Sequence, residues 1–165
     1  MKRVLIADDD RSGRRTLQIL LEKMGLDTVA AEDGRSALDA FGSGRFDLVL
    51  TDMRMPEIDG ITLLREIRRG DPEVPVILLT AYGTVEKAVA AMKLGAFDFL
   101  QRPLDIDTVE AAVRRALDFR DSLVENRYLR ERLAETAPES PFAWASAAMQ
   151  EAYAFAAQVA PTKST

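Results

Sequence analysis

Five short and almost unbroken apolar runs divide the first hundred residues, at positions 4–7, 28–31, 48–51, 76–80 and 97–100. Runs that do not alternate with polar positions predict strands covered on both faces, as in a parallel sheet flanked by helices. The segments between them have helical length and spacing. Leu17, Leu20, Leu21 and Met24 fall at i, i+3, i+4 and i+7, and so do Val85, Ala88, Val89 and Met92; both stripes are expected to face the sheet. Gly25 and Gly95 stand where helix C-caps are wanted, and Pro72, Pro75 and Pro103 punctuate loops. The expected order is βαβαβαβαβα. Such alternation favours an α/β doubly wound sheet whose ligands bind beyond the carboxyl ends of the strands.

The fifth helix is expected to start near residues 105–107 and to run on to about Ala134. Ala112, Ala116, Phe119, Leu123, Asn126, Leu129 or Arg130, and Leu133 are spaced by alternating threes and fours, as a coiled-coil seam requires. That spacing predicts a two-stranded helical dimer linker, against the plainer reading of a single solvated, charge-rich helix. Pro138 and Pro141 then break helicity before an Ala-rich stretch at 142–160. Three segments follow: a compact domain at 1–121, a linker at 122–137 continuous with helix five, and a further piece at 138–165.

A length of 165 residues suits one well-buried domain plus an appendage. With 47% apolar and 30% charged residues the balance is that of a globular protein. The basic start Met1-Lys2-Arg3 is followed by an apolar run that ends at once in Asp8-Asp9-Asp10, so no secretion signal is expected. No stretch of about 18 apolar residues predicts a membrane span, and a cytoplasmic location is expected. The absence of cysteine and histidine removes the usual participants in disulfides, zinc sites and Ser/His or Cys/His catalysis. Chemistry must run on carboxylates, hydroxyls and cations. A formal charge of -5 gives no support for broad nucleic-acid binding.

Asp8 and Asp9 follow the first apolar run and Asp52 follows the third, ends that are neighbours in a parallel sheet. Like charges a few ångströms apart oppose joint ionisation, and a hard divalent cation is the natural compensator. Mg²⁺, with its preference for oxygen ligands, suits such a set. A carboxylate can act as nucleophile to form an acyl phosphate, with the metal offsetting charge on the transferring oxygens. Asp52 is the best-placed nucleophile, whereas Asp10 reads better as a helix cap or a solvated loop acid. Thr80 and Arg102 end or follow strands four and five, so a hydroxyl and a cation are expected to bind phosphoryl oxygens from the same edge.

These residues resemble response-regulator receiver domains of bacterial two-component systems over positions 1 to about 121. The likeness is carried by Val4-Leu5-Ile6-Ala7-Asp8-Asp9-Asp10, by residues 47–56 around Asp52 with Asp59-Gly60, by Thr80-Ala81, and by residues 95–104 ending in Arg102-Pro103-Leu104. The resemblance implies a flavodoxin-like five-stranded sheet of order 2-1-3-4-5 with five helices. It implies Asp52 as phosphorylation site, Asp8 and Asp9 as an acid pocket for Mg²⁺, and the Arg54 backbone carbonyl as a metal ligand. Thr80 is implied as switch hydroxyl and Phe99 as aromatic switch position. It further implies a regulatory domain rather than an enzyme, a sensor histidine kinase as partner, and a homodimer through receiver and linker. The family normally has lysine where this chain has Arg102, whose planar fork is not interchangeable with a compact ammonium. The resemblance also suggests a cis Arg102-Pro103 bond.

Phe97-Asp98-Phe99-Leu100 with Leu104-Asp105-Ile106-Asp107 is similar to the receivers of NtrC-type, sigma-54-dependent transcription activators, and residues 125–133 resemble their dimerising linker. Residues 138–165 resemble the opening of their AAA+ ATPase domain. Lys163-Ser164 lacks the preceding glycines of a phosphate-binding loop, so no ATP site is expected. The chain then reads as a regulatory piece of a longer, DNA-binding protein. Two other readings compete. A haloacid-dehalogenase-type phosphatase needs Asp-x-Asp, where this chain has Asp52-Met53-Arg54; a phosphorylation-independent interaction module is motivated by Arg102 alone.

Overall fold

The computed structural model describes residues 1–81 and 85–136. Its elements are β1 (Arg3–Ala7), α1 (Arg11–Lys23), β2 (Asp27–Ala31), α2 (Gly34–Ser43), β3 (Leu48–Asp52), α3 (Gly60–Gly70), β4 (Val76–Thr80), α4 (Val85–Lys93), β5 (Asp98–Gln101) and α5 (Ile106–Thr136). All four strand pairings are parallel, in the order β2-β1-β3-β4-β5. The chain falls into two units, Met1–Val124 and one beginning at Glu125. The expected break at Pro138 and the Ala-rich, AAA+-like stretch lie outside the described residues.

Alternate residues of the central strands point to opposite faces, and each face has its own core. Val4, Ile6, Leu48, Leu50, Ile77 and Leu79 meet Leu17 and Leu21 of α1 and Val109, Ala112, Val113 and Ala116 of α5. Leu5, Ala7, Val49, Val76 and Leu78 meet Ala37 of α2, Leu63, Leu64 and Ile67 of α3, and Ala91 of α4. This two-sided cover explains the unbroken apolar runs of β1, β3 and β4. At the edge, β2 is mostly half-buried rather than covered on both faces, because only one neighbouring strand flanks it.

Helix ends follow local chemistry. Aspartate side chains accept from backbone N–H groups at the starts of α1 (Asp10), α2 (Asp33) and α3 (Asp59), satisfying donors that the first turn leaves unpaired. Gly25 and Gly95 take positive φ, with Leu26 and Ala96 donating back to Leu21 and Ala91. Both expected C-caps are thus closed by Schellman-type bonds.

Two helical stripes differ from expectation. Among the described side chains of α4, Ala91 is the buried one, with Leu94 beyond the helix packed against the same core, while Val89 and Met92 are exposed. Helical spacing alone does not say which face of a helix meets the sheet, and here the small Ala91 rather than the larger Val89 and Met92 takes a covered position. In α5, Ala112 and Ala116 are fully buried in the sheet core, and the Phe119 ring lies 5.3 Å from that of Phe97. The predicted seam therefore cannot begin at Ala112, because its first positions are used within the domain. Further along, Arg120 binds Asp71 at 2.8 Å and Glu73 at 3.3 Å, and Lys2 pairs with Asp121. These ion pairs fix α5 shortly before the exposed positions Tyr128, Leu129 and Leu133.

Ile67 is fully buried between α3 and the sheet. Ile67→Ala is expected to lower unfolding free energy by about 2–5 kcal/mol through lost burial and the cavity left behind. Urea denaturation checks this, with an unchanged slope against denaturant.

Candidate functional site

Parallel register brings the predicted residues to one edge. Ala7 pairs with Thr51, so Asp8 and Asp52 follow at adjacent points. Asp52 pairs with Leu79 and Thr80 with Gln101, so Thr80 lies one step further along than Asp52 and Arg102 one step beyond Thr80. The Arg102 N–H donates to the Thr80 carbonyl at 2.7 Å, closing this edge between β4 and β5. Asp8 and Thr80 are buried, whereas the Arg102 side chain retains 23% exposure.

The central contact is a guanidinium shared by two acids. Arg102 Nη2 is bonded to Asp8 Oδ2, while its Nε lies 3.4 Å from Asp52 Oδ1. The remaining oxygens meet backbone donors: Asp8 Oδ1 accepts from Asp10 N–H at 2.9 Å, and Asp52 Oδ2 from Arg54 N–H at 2.8 Å. Arg14 donates to the Asp8 carbonyl and holds that turn from the α1 side. Burial pushes the Asp8 and Asp52 carboxyls above their ordinary range. Arg102 is the main opposing influence on Asp8; on Asp52 the Arg54 N–H opposes first and Arg102 second. Asp8 and Asp9 add their negative charge to the upward push on Asp52. Asp10 has a different task. Its carboxyl is held below the usual range by the Gly13 and Ser12 N–H groups, and it caps α1.

The donors here are oxygens throughout, from Asp8, Asp9, Asp52 and the Arg54 carbonyl, and that chemistry fits a hard divalent cation. Among the described residues, no three acids are gathered into a ready metal cage. Arg102 instead supplies the positive charge between Asp8 and Asp52. Phe99 lies apart from this contact, half-buried against the core shared by α2, α3 and α4. The Arg102-Pro103 bond is cis.

Several supporting residues were not legible as such. A Cβ on Gly60 would fall 2.2 Å from the Asp52 carbonyl oxygen and 3.0 Å from Met53 Cα, so only glycine lets α3 start this close to the end of β3. Its N–H donates to the Met53 carbonyl at 3.1 Å. Gly13 and Arg14 carried one weak signal, a glycine inside a helical pattern.

The family model for the response regulator receiver domain matches residues 4–114. The chain belongs to the response regulator receiver domain family. This receiver is 41% identical over 162 residues to the transcriptional regulatory protein ZraR of Escherichia coli K12, covering 98% of the chain and 36% of that protein. It is 42% identical over 134 residues to the regulatory protein AtoC of the same organism, covering 81% of the chain and 29% of that protein. The chain thus spans about a third of the length of these curated relatives. A receiver domain from Clostridium thermocellum superposes with a TM-score of 0.71 at 32% identity, over 74% of this chain and 99% of that one. The NtrX receiver domain of Brucella abortus gives 0.67 at 34% identity, over 70% and 98%. Among the described residues, no helix is long and apolar enough to cross a membrane.

Gly60→Ala is expected to cost about 1–3 kcal/mol, because the methyl meets backbone rather than a yielding side chain. Urea denaturation measures the loss, and the Arg54 amide resonance should shift as the β3–α3 turn is pushed aside.

Proposed function

We propose that Asp52 accepts a phosphoryl group from the phosphohistidine of a sensor histidine kinase, in a receiver that controls a sigma-54-dependent, NtrC-type transcription activator. An oxygen of the Asp52 carboxylate attacks phosphorus; the new O–P bond forms as the N–P bond of the phosphohistidine breaks and the imidazole leaves. Asp8, Asp9, Asp52 and the Arg54 carbonyl would hold a Mg²⁺, which would supply neutralisation of charge on the phosphoryl oxygens. The observation that carries this reading is the Arg102 guanidinium, already reaching both Asp8 and Asp52. It also disfavours an interaction module indifferent to phosphorylation.

Phosphorylation exchanges the single negative charge of the Asp52 carboxylate for roughly -1.5 to -2 on the phosphoryl group, a net gain of about one negative charge or less. Arg102 then exchanges its bond to Asp8 for a phosphoryl oxygen, and the Thr80 hydroxyl turns to the same group. Phe99 and the α4–β5–α5 surface respond as a two-state element. Carrying such a population from 1:99 to 99:1 takes about 5.5 kcal/mol of differential stabilisation. The continuous α5 conveys the change, and Leu129 and Leu133, exposed in the single chain, supply apolar positions for pairing with a second copy. The domain itself is regulatory. We set this exchange in the cytoplasm and assign DNA binding and ATP hydrolysis to other parts of a longer protein.

Acetyl phosphate with Mg²⁺ should add one phosphoryl mass to the wild type and none to Asp52→Asn, read by intact mass spectrometry. Sedimentation of the same samples should change only where mass is gained. Absence of added mass would overturn the acceptor assignment, and added mass without altered self-association would overturn the switch.

Removing the guanidinium takes a positive charge out of the acid pocket. Arg102→Ala should therefore bind Mg²⁺ about tenfold more tightly by titration calorimetry, on the order of 1.4 kcal/mol.

A further inference from the structure

Gly13 lies in the first turn of α1, where glycine is a poor helix residue and local preference favours almost any other side chain. Its φ is not in the left-handed region, so the backbone conformation gives no reason for glycine. The surroundings do. A Cβ at position 13 would stand 2.9 Å from Arg102 Nη1, 2.9 Å from Asp10 Oδ2 and 3.2 Å from Asp8 Oδ2. Ordinary non-bonded contacts begin at about 3.5 Å.

None of the three neighbours retreats freely. Asp8 is 1% exposed and walled in by the sheet. Asp10 is held by the 2.9 Å bond from the Gly13 N–H itself. Arg102 can move its Nη1 lobe only by swinging a rigid planar group whose other nitrogens contact Asp8 and Asp52. A lysine ammonium at position 102 has no such second lobe and makes no comparable demand on the space over α1.

We propose that Gly13 is a positioning residue for the phosphoryl site: its missing side chain makes the space in which an arginine at position 102 can address Asp8 and Asp52 together. The proposal rests on the reading of Arg102 as phosphoryl partner. Local helix preference and the shape of the site conflict at this position, and such conflicts mark functional constraint. Gly13 and Arg102 form one unit, so substitutions at the two positions are not independent.

The test is a double-mutant cycle in the full chain, comparing wild type, Gly13→Ala, Arg102→Lys and the double variant with acetyl phosphate and Mg²⁺. Gly13→Ala should slow phosphorylation of Asp52 about fivefold beside Arg102 and less than about twofold beside lysine, a coupling typical of residues in contact. Rescue by lysine is what a purely structural role for Gly13 would not produce. Equal loss in both backgrounds, or no loss beside arginine, overturns the proposal. Melting temperatures decide the matter if the lysine proteins accept no phosphoryl group: alanine should raise the midpoint beside lysine and fail to raise it beside arginine, and equal shifts overturn the claim. Arg102→Ala separates the two levels. If it matches wild type in phosphorylation and in the accompanying change of self-association, the role of Arg102 itself fails, whatever the cycle says about space.

Discussion

Asp8 and Asp52 stand side by side at the carboxyl edge of the sheet, where burial raises both carboxyls and the charge of Asp8 further opposes the ionisation of Asp52. Such an arrangement persists only with a nearby positive charge, and among the described side chains Arg102 supplies it by contacting both acids. Much of the surrounding structure serves that contact. Parallel register sets the spacing of Asp8, Asp52 and Thr80, the β5 exit brings Arg102 back across them, and Gly60 lets α3 begin against the end of β3. In the proposed mechanism the charge that steadies the unphosphorylated pocket is also the one a phosphoryl group would compete for, so that stability and switching would share one side chain.

Rigid support comes from two cores, one on each face of the sheet. Their burial holds the strand ends still while leaving the loops beyond them to carry chemistry. The long α5 joins the face shared with α1 and is tied down by Arg120 and by the Lys2–Asp121 pair. Exposed pairs of this kind contribute little to stability, but Arg120 is 12% exposed and meets two acids, so it sets the point at which the helix leaves the domain. Beyond it Val124, Tyr128, Leu129 and Leu133 are exposed in the single chain.

The strand order and the edge that carries the acids were legible because unbroken apolar runs leave few alternatives to a covered parallel sheet. Asp8, Asp52, Thr80 and Arg102 were legible as a set because strand ends in such a sheet are neighbours. Helix faces were less so. The Val89 and Met92 stripe has perfect helical spacing, yet both are exposed while Ala91 is in the core, since spacing alone does not say which face of α4 meets the sheet. Ala112 and Ala116 fit a coiled-coil period and a sheet-packing period equally well, and only the position of α5 on the sheet separates them. Gly13 was hidden for a different reason: its meaning lies in an atom it lacks, beside a residue 89 positions away in the chain.

The most direct test of the account is the environment of the Arg102 guanidinium before and after phosphorylation, followed through its side-chain ¹⁵N and ¹H resonances with acetyl phosphate and Mg²⁺. The account predicts that these resonances shift in the wild type as Arg102 exchanges Asp8 for a phosphoryl oxygen, and stay in place in Asp52→Asn under the same conditions. Resonances that remain unchanged in a wild-type sample carrying the phosphoryl group would contradict it.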